Sequence, residues 1–269
     1  MVAPSRPLAF VVASSVPPHE PELDDHRLAA ELAEVAGATL VDLRDRTAAR
    51  YDPWSLRDRG DQVSHDLLVE RLGEHRPDDH VMSEEGAEDR RRLEAERCWI
   101  VDPLDGTYDY PFVDSIEWAV HVAVVENQRP TAAAVAVPGM GQVFATDRAE
   151  GPGERTARDK PLVVSGRSTA YAAAAVADEL GGQLTACGSA GVKAMLVVTG
   201  AVDVYVHSSG LWEWDVCAPA AVAEANGLIV TDIDGDEILY NKSRPIVRGL
   251  VIARPEYARA ARSALADLI

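Results

Sequence analysis

At 269 residues, 47% of them apolar and 26% charged, the chain has the balance of a folded globular protein, which excludes a disordered or fibrous one. It is long enough for one large domain or two modest ones. A formal net charge of −18 excludes duplex nucleic acid as a partner, because phosphate backbones are held mainly by clustered Lys and Arg. A small phosphorylated ligand fits with local help from metal ions or a few basic side chains.

Leu8 to Ala13 is apolar but followed by prolines and far below a membrane span, so it reads as a core strand or a loosely ordered leader, not a signal peptide. Helical spacing from Asp24 to about Leu43, and again from Asp61 to Leu72, predicts two opening helices, with Asp61 as a helix-start carboxylate. Val81-Met82 is a short apolar pair before Ser83-Glu84-Glu85, and the acid-rich stretch from Glu84 to Glu96, interleaved with Arg90, Arg91 and Arg92, reads as an exposed ion-paired helix. Cys98 to Val101 predicts a buried strand cut off by Asp102-Pro103. Trp118 to Val125, Thr131 to Val137 and Gln142 to Thr146 predict an antiparallel meander, with a turn at Pro138 to Gly141. Residues 149–160, rich in Gly, Arg and acids, mark a domain boundary or exposed loop. Beyond it come a strand at Leu162 to Ser165, an alanine-rich helix, a strand at Val202 to Val206, a helix from about Asp215 to Asn226, strands at Leu228 to Thr231 and Leu250 to Ala253, and a final helix from about Pro255. The whole reads as a layered sandwich of α/β and α+β character: residues 1–155 form an α+β domain carrying metal-binding turns, and residues 156–269 an α/β domain completing the site.

The strongest chemical signal is Asp102-Pro-Leu-Asp105-Gly106-Thr107 directly after a buried strand. Two carboxylates three residues apart on a tight turn converge on one point, and hard divalent cations such as magnesium prefer oxygen ligands. Gly106 permits close backbone approach to a phosphate, and Thr107 adds a hydroxyl. Glu84 and Glu85 sit at another strand end, and Asp215, in Trp212-Glu213-Trp214-Asp215, opens a helix. Singly, each of these acids suits a turn or cap. Together they predict a polynuclear metal site that clamps a phosphoryl group. Cys98, Cys187 and Cys217 lack metal or disulfide spacing and fit a reducing cytoplasm. Lys160, Lys193 and Lys242 are the lysines of an arginine-rich chain, so a lysine beside a motif is informative.

The motifs Ser83-Glu84-Glu85, Trp99 to Thr107 and Trp214-Asp215-Val-Cys-Ala-Pro resemble, in order and separation, those of the inositol monophosphatase superfamily, over roughly Asp61 to Gly227. The resemblance implies an αβαβα sandwich, a lithium-sensitive magnesium phosphatase, two to three Mg2+ per site and a homodimer. It implies that Glu84, Asp102 and the Leu104 carbonyl bind one magnesium, that Asp102, Asp105 and Asp215 bind a second, and that a weaker third lies near Glu84. Asp61 and Thr107 would orient the attacking water, and the Gly106 and Thr107 amides would hold the phosphate, with no covalent phosphoenzyme.

For the substrate, Gly188-Ser189-Ala-Gly-Val-Lys193 is similar to the turn and lysine of 3'-phosphoadenosine 5'-phosphate phosphatases, and His207-Ser208-Ser209 departs from the glutamate of inositol monophosphatases. Tyr108-Asp109-Tyr110 departs from the glutamate and aromatic of bisphosphate nucleotidases. The expected substrate is therefore a 3',5'-bisphosphorylated nucleoside, contacted by Gly106, Thr107, Tyr108, Asp109, Gly188, Ser189 and Lys193. Alternatives are another nucleoside monophosphate, an inositol or sugar phosphate, or a catalytically silent metal-binding protein on this fold. His121 reads as a satisfied core or interface residue, Lys193 in isolation as a solvated helix residue, Trp212 and Trp214 as packing or a base platform, and Tyr108 and Tyr110 as entrance residues.

Overall fold

The computed structural model describes residues 23–47, 52–266 and 268; the Leu8 to Ala13 run lies outside them. Helix α1 (Asp25–Thr47) buries Leu28, Leu32, Ala36 and Leu40, an apolar stripe at helical spacing. Helix α2 (Pro53–His75) starts where the Asp52 carboxylate accepts the Trp54 and Ser55 amides and Pro53 takes the first helical position. Asp61 therefore lies inside α2, and the expected helix start there is corrected to Asp52.

The first sheet runs in order β1 (His80–Ser83), β2 (Arg97–Asp105), β3 (Ala119–Glu126), β4 (Arg129–Val137) and β5 (Gln142–Ala145). β1 and β2 are parallel, and the rest form the expected antiparallel meander. Two expectations change here. Strand β2 does not stop before Asp102 but carries both Asp102 and Asp105. The stretch from Glu84 to Glu96 is a turn plus one 3-10 turn, Arg90–Leu93, because Arg92 points inward to bond Asn241 Oδ1 at 2.6 Å and the Lys242 carbonyl at 3.0 Å.

After the 149–160 loop come β6 (Leu162–Ser165), α3 (Ala170–Glu179), β7 (Gln183–Ala186), α4 (Ala190–Val198), β8 (Val204–His207), β9 (Leu211–Trp212), α5 (Glu213–Ala225), β10 (Ile229–Thr231), β11 (Ile246–Val247), β12 (Leu250–Ala253) and α6 (Pro255–Ala266). The second sheet has the order β10-β12-β8-β6-β7, with β6 parallel to β7 and β8 and with β12 antiparallel to β8 and β10. The short pair β9 and β11 stands apart. Helices α1 and α2 cover the outer face of the first sheet, α4 and α5 fill the space between the sheets, and α3 and α6 cover the second. The central core joins Ile100 and Val125 of the first sheet to Val164 and Ile252 of the second through Val216 and Val222 of α5. The site lies where β2, α4 and α5 meet in this middle layer.

Candidate active site

Strands β2 and β3 keep regular register up to Asp102 opposite His121, then shift before Asp105 pairs with Ala119. The irregularity falls at Pro103, which has no amide to donate, and such a bulge turns side chains out of the strict alternation of a strand. Both acids can then face the middle layer. Asp102 Oδ1 accepts the Leu104 amide at 3.0 Å, while its Oδ2 is buried without a hydrogen-bond partner. Gly106 closes the turn at φ 83°, and a Cβ there would lie 2.3 Å from the Glu117 carbonyl oxygen, so only glycine fits.

Asp105 is fixed by the start of α4. Its Oδ2 accepts the Ser189 hydroxyl and the Gly191 amide, the latter at 2.7 Å, and its Oδ1 accepts the Ala190 amide at 3.1 Å. A carboxylate oxygen offers two acceptor sites, so Oδ1 keeps one open. Ser189 is fully buried, with its hydroxyl spent on Asp105 and on the Val192 amide at 3.0 Å. It positions Asp105, with its hydroxyl hydrogen committed there.

Asp215 lies in the first turn of α5 and accepts the Trp212 amide at 3.0 Å, at the positive end of the helix dipole. Carboxylate oxygens of Asp102, Asp105 and Asp215 all lie within 4.8 Å of one another. Glu84 stands at the solvent-exposed rim beside them. Ser64 of α2 bonds the Pro103 carbonyl at 2.7 Å, and a Cβ on Gly60 would meet Tyr110 at 2.8 Å and Leu104 at 3.0 Å. These close contacts lay α2 against the loop and bring Asp61 near Glu84 and Glu85. The Thr107 hydroxyl donates to the Leu104 carbonyl at 2.9 Å, leaving its lone pairs available.

Crowding decides the charge state. Burial first, then Glu84, Asp105 and Asp215, push the Asp102 carboxyl well above its ordinary range. Burial and Asp105 push Asp215 to about 7. Burial followed by Glu85 and Glu84 pushes Asp61 to about 8. At Glu84, desolvation on the cleft side and then the charges of Asp215 and Glu85 push the carboxyl to about 7. Burial opposes ionisation of Asp105 as well, but His121, Lys193 and Ser189 outweigh it and hold that carboxyl at about 2. His121, read from sequence as a core residue, is buried in the acid cluster itself. Its Nδ1–H donates to the Trp214 carbonyl at 3.1 Å and its Nε2 lies 3.3 Å from Asp105, a pairing that raises its pKa despite burial. A Cβ on Gly191 would sit 2.2 Å from that nitrogen. The acids outnumber the cations, and an unpartnered buried carboxylate oxygen faces two further carboxylates. The three convergent carboxylates of Asp102, Asp105 and Asp215 form a donor set that suits a hard divalent cation.

Beside the cluster opens a cavity of about 260 Å³ whose lining includes Gly106, Tyr108, Asp109, Gly188 and Lys193. Tyr108 is exposed at its rim, stacked on the Arg57 guanidinium, which also donates to the Thr107 carbonyl at 3.1 Å. Tyr110 is buried, with its hydroxyl on the Leu40 carbonyl at 2.8 Å, and is not an entrance residue. Lys193 is 2% exposed rather than solvated, and its ammonium bonds the Cys187 and Gly188 carbonyls at 3.2 and 2.9 Å. Asp109 is buried against Arg167, a residue the sequence reading did not single out. Trp212 and Trp214 stack on each other at 4.9 Å, with Trp212 partly exposed. A larger cavity of about 390 Å³ between β10, β12 and α6 is lined by none of the cluster carboxylates.

The fold is a layered α/β sandwich in which three carboxylates, gathered at a strand bulge and a helix start, could hold a metal ion. The sequence profile of the inositol monophosphatase family matches residues 27–266, and the chain belongs to that family of phosphomonoesterases. It is 38% identical over 253 residues to the 3'-phosphoadenosine 5'-phosphate phosphatase of Mycobacterium leprae (strain TN), a match covering 89% of this chain and 93% of that protein. It is 30% identical over 229 residues to the 3'(2'),5'-bisphosphate nucleotidase CysQ of Escherichia coli (strain K12), covering 78% of this chain and 91% of that one. The crystal structure of CysQ from Bacteroides thetaiotaomicron, a bacterial member of the inositol monophosphatase family, superposes with a TM-score of 0.71 at 25% identity, over 84% of this chain and 96% of that one. Among the described residues no helix is long and apolar enough to cross a membrane.

Proposed function

We propose that the chain hydrolyses the 3'-phosphate of a 3',5'-bisphosphorylated nucleoside such as 3'-phosphoadenosine 5'-phosphate, using Mg2+, as a homodimer in the cytoplasm. The observation that carries the substrate is the 38% identity, over 89% of the chain, to a phosphatase named for it. The chemistry rests on the three convergent carboxylates. Bound Mg2+ would neutralise phosphate charge, acidify the attacking water and stabilise the leaving oxygen. Asp102, Asp105, Asp215, Glu84 and the Leu104 carbonyl would hold it. The Thr107 hydroxyl, already donating to Leu104, accepts a hydrogen bond from the water, and Asp61, ionised once a divalent charge offsets its acidic neighbours, takes that water's proton as the water oxygen bonds phosphorus and the ester P–O bond breaks, the freed 3'-oxygen taking a proton from solvent water. The Gly106 and Thr107 amides hold the phosphate oxygens, while Tyr108, Asp109, Gly188 and Lys193 border the leaving nucleoside.

A second reading, a phosphatase for another nucleoside monophosphate or an inositol or sugar phosphate, is favoured by one observation: Asp109 already neutralises Arg167 beside the cavity. Phosphate release from 3'-phosphoadenosine 5'-phosphate, AMP and inositol 1-phosphate under magnesium separates the two. A clear preference for the first is expected, and no preference refutes the bisphosphate assignment.

A further inference from the structure

The two groups assigned to the attacking water come from different elements, Asp61 from α2 and Thr107 from the turn after β2. Their spacing therefore depends on how α2 grips that turn. Positions 57, 61 and 64 follow one another at helical spacing and share one face of α2. Arg57 Nε–H donates to the Thr107 carbonyl at 3.1 Å, and the Ser64 hydroxyl donates to the Pro103 carbonyl at 2.7 Å. Asp61 thus stands between two hydrogen bonds that cross from the helix to the two ends of the 103–107 segment. The backbone at Gly60 presses on the segment between them, where a Cβ would meet Tyr110 at 2.8 Å and Leu104 at 3.0 Å. Ser64 and Gly60 fix the Pro103 end, and Arg57 fixes the Thr107 end.

A partly exposed arginine gains little from a single hydrogen bond to set against the rotamer freedom it loses. Arg57 is held by more than that. Its guanidinium carbon lies 4.3 Å from the Trp54 ring centroid and 4.7 Å from that of Tyr108, so it bridges an aromatic of the first turn of α2 and the residue that follows Thr107. Trp54 is itself set by the Asp52 cap, whose carboxylate accepts its amide at 3.1 Å. Tyr108, part of the departure at Tyr108-Asp109-Tyr110, therefore acts on the turn as well as bordering the cavity. Arg57 also carries charge to the site. Burial, then Glu85, Glu84 and Asp58, push Asp61 up, and Arg57 draws it down.

We propose that Arg57 is a positioning residue for the attacking water: clamped between Trp54 and Tyr108, it holds the Thr107 turn against α2 at the separation from which Asp61 and Thr107 bind one water. The proposal rests on the reading above in which that pair orients the nucleophile. Arg57 acts through Asp61 on the step in which the water oxygen bonds phosphorus, and it leaves metal and substrate binding to other residues.

The test is a double-mutant cycle on kcat for phosphate release from 3'-phosphoadenosine 5'-phosphate under saturating magnesium, built from Arg57→Ala and Asp61→Asn. Arg57→Ala should lower kcat about tenfold in the unaltered chain, the worth of one charge-assisted hydrogen bond, but less than about twofold in the Asp61→Asn background. KM and the half-saturating magnesium concentration should each stay within about twofold. Arg57→Lys keeps the charge but cannot lie flat between two rings, so its kcat should remain at least about threefold low. Trp54→Ala, which removes one exposed wall and leaves the guanidinium, should lower kcat about threefold and keeps the proposal testable if Arg57→Ala unfolds. No loss, an equal loss in both backgrounds, full recovery in Arg57→Lys, or a loss carried by KM or by magnesium affinity overturns the proposal alone. An unimpaired Asp61→Asn overturns the water-activation reading and this proposal with it.

Discussion

Asp102 carries the cluster's sharpest conflict between stability and function. Its buried Oδ2 accepts no hydrogen bond, with His121 Nδ1 3.8 Å away, and the charges of Glu84, Asp105 and Asp215 press on it. Asp102→Asn should therefore raise the melting temperature in chelator while lowering magnesium-dependent phosphate release by a factor of about 100 or more, read by thermal melts and initial rates. Asp61→Asn should lower kcat by about 10²- to 10⁴-fold, the usual worth of a general base, with little change in the magnesium concentration at half-maximal rate. The acids themselves were legible because their residue types and spacing are local properties. His121 was not, because its meaning comes from lying opposite Asp102 across β2 and β3 and from the Trp214 carbonyl far along the chain. Arg167 and Thr169 escaped for the same reason: the loop between β6 and α3 that carries them meets Gly106, Lys193 and His207 only when the sheets and α4 are assembled.

Among the elements, the meander and α5 followed directly from alternation and motif. Helix α4 did not, because nearly all its residues are buried and it has no polar face to impose a helical period. The start of α2 is hard to read because its polar face is crowded with charges, which blurs the apolar stripe, whereas Asp52-Pro53 carries the true start signal. The end of strand β2 is hidden in the sequence because Asp and Pro disfavour strands, although a bulge admits both. The glycine joining α4 to β3 makes an element-scale prediction. Gly191→Ala places a methyl 2.2 Å from His121 Nε2, and overpacking of this kind costs about 1–3 kcal/mol. The variant should melt several degrees lower, both with magnesium and with chelator, and should lose activity as His121 moves off Asp105.

Across the whole molecule, one core joins both sheets through α5. We propose that the described residues up to 155 and those from 156 onward are structural units that unfold together, and calorimetry should show a single transition with calorimetric and van't Hoff enthalpies equal. The carboxyls pushed up to about 8 at Asp61 and about 7 at Asp215 make stability depend on pH. In their window, from the ordinary carboxylate range up to these values, the folded chain without metal binds more protons than the unfolded one. Stability in chelator should therefore fall as pH rises from 5 to 8, and magnesium should abolish most of that fall; thermal melts at the two pH values, with and without metal, check it. The most direct measurement is the initial rate of phosphate release from 3'-phosphoadenosine 5'-phosphate against magnesium concentration, for the unaltered chain and for Asp102→Asn. The expected result is a saturable magnesium dependence that vanishes in chelator and collapses in the variant; an equal rate in chelator, or an unimpaired variant, would contradict metal-assisted hydrolysis at this cluster.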